Sequence, residues 1–222
     1  MCSMFSTCSN LTNISALANW NTGSVTTMDH MFYNTKISDV SALANWNTGA
    51  VIDMYAMFST CSNLTNISAL ANWNTGSVTT MYGMFSTCSN LTNISALANW
   101  NVSSVTNMSY MFNRCSSLSD ITTLANWNVS SVTNMEGMFY QCSNLITLDM
   151  SGWDTSNVTT TTSFLSGCSK LVTWKVNSSL TVTISGANAT VNFGKTSYTY
   201  SSGASSASKS TSGSVTTITF SR

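Results

Sequence analysis

Residues Leu64–Asn90 read LTNISALANWNTGSVTTMYGMFSTCSN, and most of the chain is a variation on this stretch. Trp73 has counterparts at Trp20, Trp46, Trp100, Trp127 and Trp153, a step of 26 or 27 residues. The pair Met84-Phe85 keeps that step at Met4-Phe5, Met31-Phe32, Met57-Phe58, Met111-Phe112 and Met138-Phe139, and ends in Phe164-Leu165. Cys88 does the same at Cys8, Cys61, Cys115, Cys142 and Cys168, with Thr35 in the second copy. The block Met4–Met28 is identical to Met57–Met81, so one unit has been duplicated. A fixed period of this length marks an array in which each unit contacts its neighbours.

Within the unit, Met81, Met84, Phe85 and Cys88 stand at i, i+3, i+4 and i+7, which predicts a short helix with all four on one face. Leu64, Ile67, Leu70 and Trp73 read as a short extended segment, and Asn74-Thr75-Gly76-Ser77 as a turn. Neither piece can bury its apolar side alone, because a helix of about two turns is unstable in water. Stacking copies about 4.8 Å apart turns each position into a column and the columns into a core. The expected architecture is an α/β solenoid of about six coils, strand on one face and short helix on the other. The Asn before each Trp (Asn19, Asn45, Asn72, Asn99, Asn126) is expected to cap backbone amides as a ladder.

The solenoid is expected over residues 1–174. From Lys175 the period gives way to alternation, Leu180–Ile184, Thr190–Phe193, Tyr198–Tyr200 and Val215–Phe220, which predicts a β-rich cap or module over 175–222. Residues 203–213 are Ser/Gly-rich and read as a mobile loop. Met1 aligns with Met28, Met54 and Met81, so the first coil reads as incomplete, part of a longer chain or covered at that end by another chain.

Composition narrows the partners. Seven Lys+Arg balance seven Asp+Glu, and only 6% of residues are charged. Nucleic-acid binding needs clustered cations, and these are scattered; a basic membrane-surface helix fails for the same reason. No run approaches the roughly 18 apolar residues of a spanning helix, and no charged-then-apolar leader is read at the start, so the chain reads as soluble.

The segment CSNLITLDMSGWDTSNVTTTTSFLSGC (Cys142–Cys168), with the recurring W-N-x-x-S-V-T-x-M-x-x-M-F-x-x-C, resembles the BspA-type leucine-rich-repeat surface proteins and the related mycoplasma surface-protein repeats. The resemblance implies a right-handed leucine-rich-repeat-like superhelix on a microbial surface or secreted, with an adhesin role; similar repeats also suit phage tail fibres on a virion. The one-residue difference between the A-L-A-N-W copies and the Cys142 copy suggests a strand bulge.

Catalysis is not expected. His30 is the one histidine, no nucleophile elbow accompanies it, and it reads as a surface residue. The carboxylates Asp29, Asp39, Asp53, Asp120, Glu136, Asp149 and Asp154 fall in different columns or non-adjacent coils. No cofactor is called for, and the parallel cysteine column disfavours zinc, which wants converging ligands. Those six cysteines are expected as buried free thiols, unreactive in the native state, with Cys2 exposed.

Binding residues are sought where the copies differ. Variation concentrates between the Met residues and after Phe, and most of the tyrosines lie there. Tyr33, Tyr55, Tyr82, Tyr110, Arg114 and Tyr140 therefore form the first candidate, an aromatic strip for a glycan or neutral protein surface. The competing candidate is the concave strand face carrying Thr65, Asn66, Thr92, Asn93, Ser119 and Asp120, which the family resemblance favours. A third is an ice-binding column, Thr26, Thr79, Thr106, Thr133 and Thr159, interrupted by Ile52.

Overall fold

The computed structural model describes residues 1–222. The repeats pile in register. Single parallel bridges link Thr27, Asp53, Thr80, Asn107, Asn134 and Thr160 in succession, and others join Asp39 to Asn66 and Asp120 to Thr147. Equivalent side chains consequently touch: Phe32, Phe58, Phe85, Phe112 and Phe139 form a file of near-parallel rings 5.7–5.8 Å apart. The Met, Phe, Trp, Leu and Val ranks merge into one cluster of 62 buried residues running from the repeats into the C-terminal sheets, so the whole chain shares a core.

The expected strand-plus-helix solenoid is not what forms. No α-helix is present, and extended structure within the repeats is limited to those isolated bridges as far as Thr147. The segment Met81–Cys88, expected to be helical, is a run of turns. Gly83 (φ 58°) and Thr87 (φ 61°) lie in the left-handed region, and so do the corresponding pairs Ala56 and Thr60, Tyr110 and Arg114, and Gly137 and Gln141. A left-handed residue at every fourth position turns alternate amides out of the helical ladder. Met84, Ser86 and Cys88 donate to the carbonyls three residues back, whereas Gly83, Phe85 and Thr87 donate to Ser109, Met111 and Asn113 of the next repeat. The spacing correctly places Met81, Met84, Phe85 and Cys88 on one buried side. It misreads the backbone, because neighbouring repeats supply partners that an isolated helix would have to find within itself.

Leu64, Ile67, Leu70 and Trp73 are not extended either. A spacing of three is the 3₁₀ period, in which i and i+3 eclipse, and the chain forms a 3₁₀ turn at Ser68–Asn72, with others at Ser15–Leu17, Ser41–Leu43, Ser95–Leu97 and Thr122–Leu124. Each turn offers a carbonyl to the next repeat's indole: Trp73 Nε1 donates to Leu43 O at 3.2 Å and Trp100 Nε1 to Leu70 O at 2.9 Å. The copy after Cys142, one residue shorter, forms strand β1 (Thr147–Met150) instead. The extra residue of the other copies thus makes a 3₁₀ turn, not a strand bulge.

The asparagine ladder lies two residues from its expected place. Asn19, Asn45, Asn72, Asn99 and Asn126 are exposed. The residues after each Trp do the capping: Oδ1 of Asn21, Asn47, Asn74, Asn101 and Asn128 accepts the amide two residues on. This is the Asx-turn geometry, available only where the backbone reverses.

Beyond β1 follow β2 (Thr173–Asn177), β3 (Val182–Ser185), β4 (Asn188–Phe193), β5 (Thr196–Ser201), β6 (Ser206–Ser212) and β7 (Val215–Ser221). They make two sheets, ordered β1-β2-β7-β6 and β3-β4-β5, with β1 and β2 parallel and the other pairs antiparallel. β2 pairs with both β1 and β7, so one sheet crosses the expected division at 174/175. The Ser/Gly-rich stretch is largely strand β6 rather than a loop. The β4-β5 hairpin lies over the last repeat: Phe193 packs on Phe164, Tyr198 Oη accepts the Leu165 amide at 3.1 Å, and Tyr200 Oη donates to Cys168 O at 2.6 Å.

Candidate binding surface

The turn run of each repeat has two positions between its Met residues, and in four repeats their occupants are reciprocal. Where the first is Tyr (Tyr55, Tyr82) the second is small (Ala56, Gly83); where the second is aromatic (His30, Tyr110) the first is Asp29 or Ser109. Each of four consecutive repeats therefore contributes one ring to a single file. His30 and Tyr55 have centroids 5.1 Å apart, Tyr55 and Tyr82 stack at 4.4 Å with planes 6° apart, and Tyr82 meets Tyr110 at 5.6 Å and 59°. Tyr110 covers Gly137, where a Cβ would fall 2.4 Å from its ring, so that glycine is required by close approach as well as by its positive φ.

Beside the file runs a second rank, the residue after each Phe. Tyr33 stands at one end, Ser59 and Ser86 in the middle and Asn113 at the other end. Small residues between large ones leave a groove of about 360 Å³ lined by Tyr33, Tyr55, Ser59, Tyr82, Ser86, Tyr110 and Asn113, with His30, Ala56 and Gly83. Asn113 Nδ2 donates to Ser86 Oγ at 2.9 Å, and Asn113 Oδ1 is covered without a hydrogen-bond partner. An unpaired buried carbonyl is uncommon and marks the end of the groove as unfinished by the chain's own groups.

The groove's electrostatics are mildly acidic. Burial, the neighbouring Tyr82 and the carboxylates Asp29 and Asp53 together push the Tyr55 phenol up. Tyr110 Oη donates to Glu136 Oε1 at 2.7 Å, and this bond, with burial, raises its pKa to about 12. His30 Nδ1 is hydrogen-bonded to Asp29 Oδ1.

Of the first candidate set, Tyr33, Tyr55, Tyr82 and Tyr110 come together in the groove. Arg114 and Tyr140 do not line it: Arg114 Nε donates to Gln141 Oε1 at 2.9 Å, and Gln141 Nε2 donates to Tyr140 Oη at 3.2 Å, a separate chain beyond its end. His30, Ser59, Ser86 and Asn113 belong to the groove but were not expected there. The signal was available in the alternation of large and small between adjacent columns, which appears only when two columns are compared together.

The competing set lies along two adjoining shallow depressions: Thr65, Asn66 and Asn93 border one, Thr92, Asn93 and Asp120 the other, and Ser119 neither. Asn66, Asn93 and Asp120 each accept, through Oδ1, the amide two residues on, and Thr65 Oγ1 donates to Ser38 O at 3.2 Å. These side chains hold turns. With 3₁₀ turns beside them there is no concave strand face of the expected kind.

Five cysteines of the column are buried and free, and Cys8 is exposed, which corrects the expectation of six. Each buried thiol from Cys61 onward donates to a Phe carbonyl of the preceding repeat, as Cys88 does to Phe58 O at 3.2 Å. Burial raises the Cys88, Cys115 and Cys142 thiols well above their ordinary pKa and Cys168 to about 12. No three His, Cys, Asp or Glu side chains are placed to hold a metal ion, and no helix is long and apolar enough to cross a membrane.

The profile of the family described as "Mycoplasma protein of unknown function, DUF285" matches two overlapping stretches, residues 1–120 and 90–192. The chain belongs to this family. It is thus a member of a mycoplasma repeat-protein family, in keeping with the resemblance read from its repeats. No curated protein and no solved structure gives a significant match.

Proposed function

We propose that this chain is a non-enzymatic recognition protein, displayed on a microbial cell surface or secreted, that offers its tyrosine groove to a receptor glycan or a neutral protein surface. One observation carries the reading: four repeats each place one aromatic ring in a single file beside a floor of small residues. A file with one ring per repeat contributes nothing to the Phe and Trp ranks that hold the core. Half-buried Tyr gives broad amphipathic contact with little rotamer entropy to lose. The BspA-type resemblance supports an adhesin; a phage tail-fibre segment would use the same surface on a different scaffold. Simultaneous Tyr55→Ala, Tyr82→Ala and Tyr110→Ala, tested against bound host or bacterial surface extracts, should abolish retention while leaving the thermal transition cooperative. Undiminished retention refutes this use of the groove.

The ice-binding reading is weaker. Thr79, Thr106, Thr133 and Thr159 do form an exposed rank, but each hydroxyl donates to a carbonyl of the preceding repeat at 3.0–3.2 Å, so its proton is not free to order water.

A further inference from the structure

Resting on that reading, we infer that the tyrosine groove is a short, closed-ended site for an uncharged or amino sugar of about two pyranose rings, with Asn113 at its far end. Three features of the groove support this, independent of any family likeness.

The first is length. The floor rank runs from Tyr33 through Ser59 and Ser86 to Asn113, and three steps of roughly 4.8 Å put about 14 Å between the backbones of its ends. Tyr33 occupies one end with its ring, which packs edge-on against His30 with centroids 5.2 Å apart, and Asn113 closes the other. What remains open is the stretch over Ser59 and Ser86, whose side chains are small and 7% and 9% exposed. A long polymer would need an open-ended channel; this one is stopped at both ends.

The second is chemistry. One wall is aromatic and the floor is hydroxyl. Tyr55 and Tyr82 stack on each other, so this part of the wall offers ring edges rather than faces, and recognition falls to the floor, whose hydroxyls and amide pair with the rim of a sugar; an apolar peptide would leave that floor unpaired at a cost. Ser86 Oγ already accepts from Asn113 Nδ2, which leaves its own hydroxyl proton to donate to a ligand. Asn113 Oδ1 lacks a donor, which a sugar hydroxyl at this end of the groove would supply.

The third is charge. Asp29 and Asp53 act on Tyr55, and Glu136 is hydrogen-bonded to Tyr110, so carboxylates flank the file at both ends. Of the basic side chains nearby, His30 is hydrogen-bonded to Asp29, and Arg114 lies beyond the groove's end, hydrogen-bonded to Gln141. A sialylated or uronic sugar would meet like charge, and a neutral or amino sugar would not.

The test is titration of the full chain with neutral, amino and acidic di- to hexasaccharides, followed by tyrosine fluorescence and calorimetry, on wild type, Ser86→Tyr and Ser86→Ala. Ser86→Tyr places a ring where the floor is open, and the matched Ser86→Ala keeps it open. The expected result is binding that stops improving beyond two or three rings, is roughly tenfold weaker for acidic sugars, and is lost in Ser86→Tyr but only a few-fold weaker in Ser86→Ala, which removes one hydroxyl and keeps the floor open. Affinity rising steadily to the hexasaccharide, acidic sugars bound as well as neutral ones, or binding indifferent to Ser86→Tyr would each overturn the inference. Absence of all sugar binding also overturns it; the recognition reading itself fails separately, if protein and whole-cell retention survives loss of the three tyrosines.

Discussion

The left-handed residues of the turn run make the sign of one substitution diagnostic. Thr87 has φ 61°, is β-branched and makes no side-chain hydrogen bond. A residue with a Cβ in this region carries about 1–2 kcal/mol of strain, and more when branched. Glycine removes that strain but loses more backbone entropy on folding, about 0.5–1 kcal/mol relative to alanine. The difference favours Thr87→Gly by about 1 kcal/mol, which for a chain of this size raises the melting temperature by roughly 2–4 °C. Gly167 already occupies the matching position in the last repeat, with φ 82°. Were Met81–Cys88 a helix, as its spacing suggests, the same change would cost a few tenths of a kcal/mol. The converse control is Gly83→Ala. A Cβ there would meet only Ser86 Cβ at 3.8 Å, so no clash contributes, and the loss of about 1–2 kcal/mol would be conformational alone. Urea denaturation followed by tryptophan fluorescence measures both, with the slope checked for constancy because repeat arrays can lose cooperativity. A destabilising Thr87→Gly, or a neutral Gly83→Ala, would refute the account of the repeat as a ladder of left-handed turns.

Three further outcomes follow from the same geometry. A thiol reagent should modify Cys2 and Cys8 promptly in the native protein and the other five only on unfolding, as counted by mass spectrometry; early labelling of Cys88 or Cys115 would show that the stack opens locally. Stability should fall in alkali. The buried thiols and Tyr110 have folded pKa values above their ordinary 9.0 and 10.0, so their contribution is complete below those values and is lost as pH rises toward about 12. Unfolding and tyrosinate absorbance should therefore rise together above pH 9, and a transition in that range with no change in absorbance would contradict the assignment. Trp73→Phe removes the indole donor to Leu43 O, which keeps the Trp46 amide as its other donor, for an expected loss of about 0.5–1.5 kcal/mol by denaturant titration.

The acid limb should be shallower. Burial alone would raise Asp149, but Ser151 and the Lys175 ammonium outweigh it and leave the carboxyl below its ordinary range. Asp154 is lowered by hydrogen bonds from Ser156. A depressed carboxyl supports the fold above its unfolded pKa and loses that support as pH falls through the folded value, and only these two carboxylates do so clearly.

The amino-acid sequence by itself determined the period, the columns and which side chains are inside: Trp73, Met81, Phe85 and Cys88 are buried because apolar spacing selects a face whatever the backbone does. It also marked Tyr33, Tyr55, Tyr82 and Tyr110 as departures from the duplicated pattern. What it left undetermined was the conformation joining those positions. A spacing of three or four residues is shared by helices, 3₁₀ turns and left-handed turn runs, and the choice rests on where each amide finds its acceptor. For Gly83, Phe85 and Thr87 that acceptor lies in the next repeat, 26 residues away. The groove has the same origin. Tyr33 and Asn113 become the two ends of one site, and Ser59 and Ser86 its floor, only when stacking sets residues of four repeats side by side.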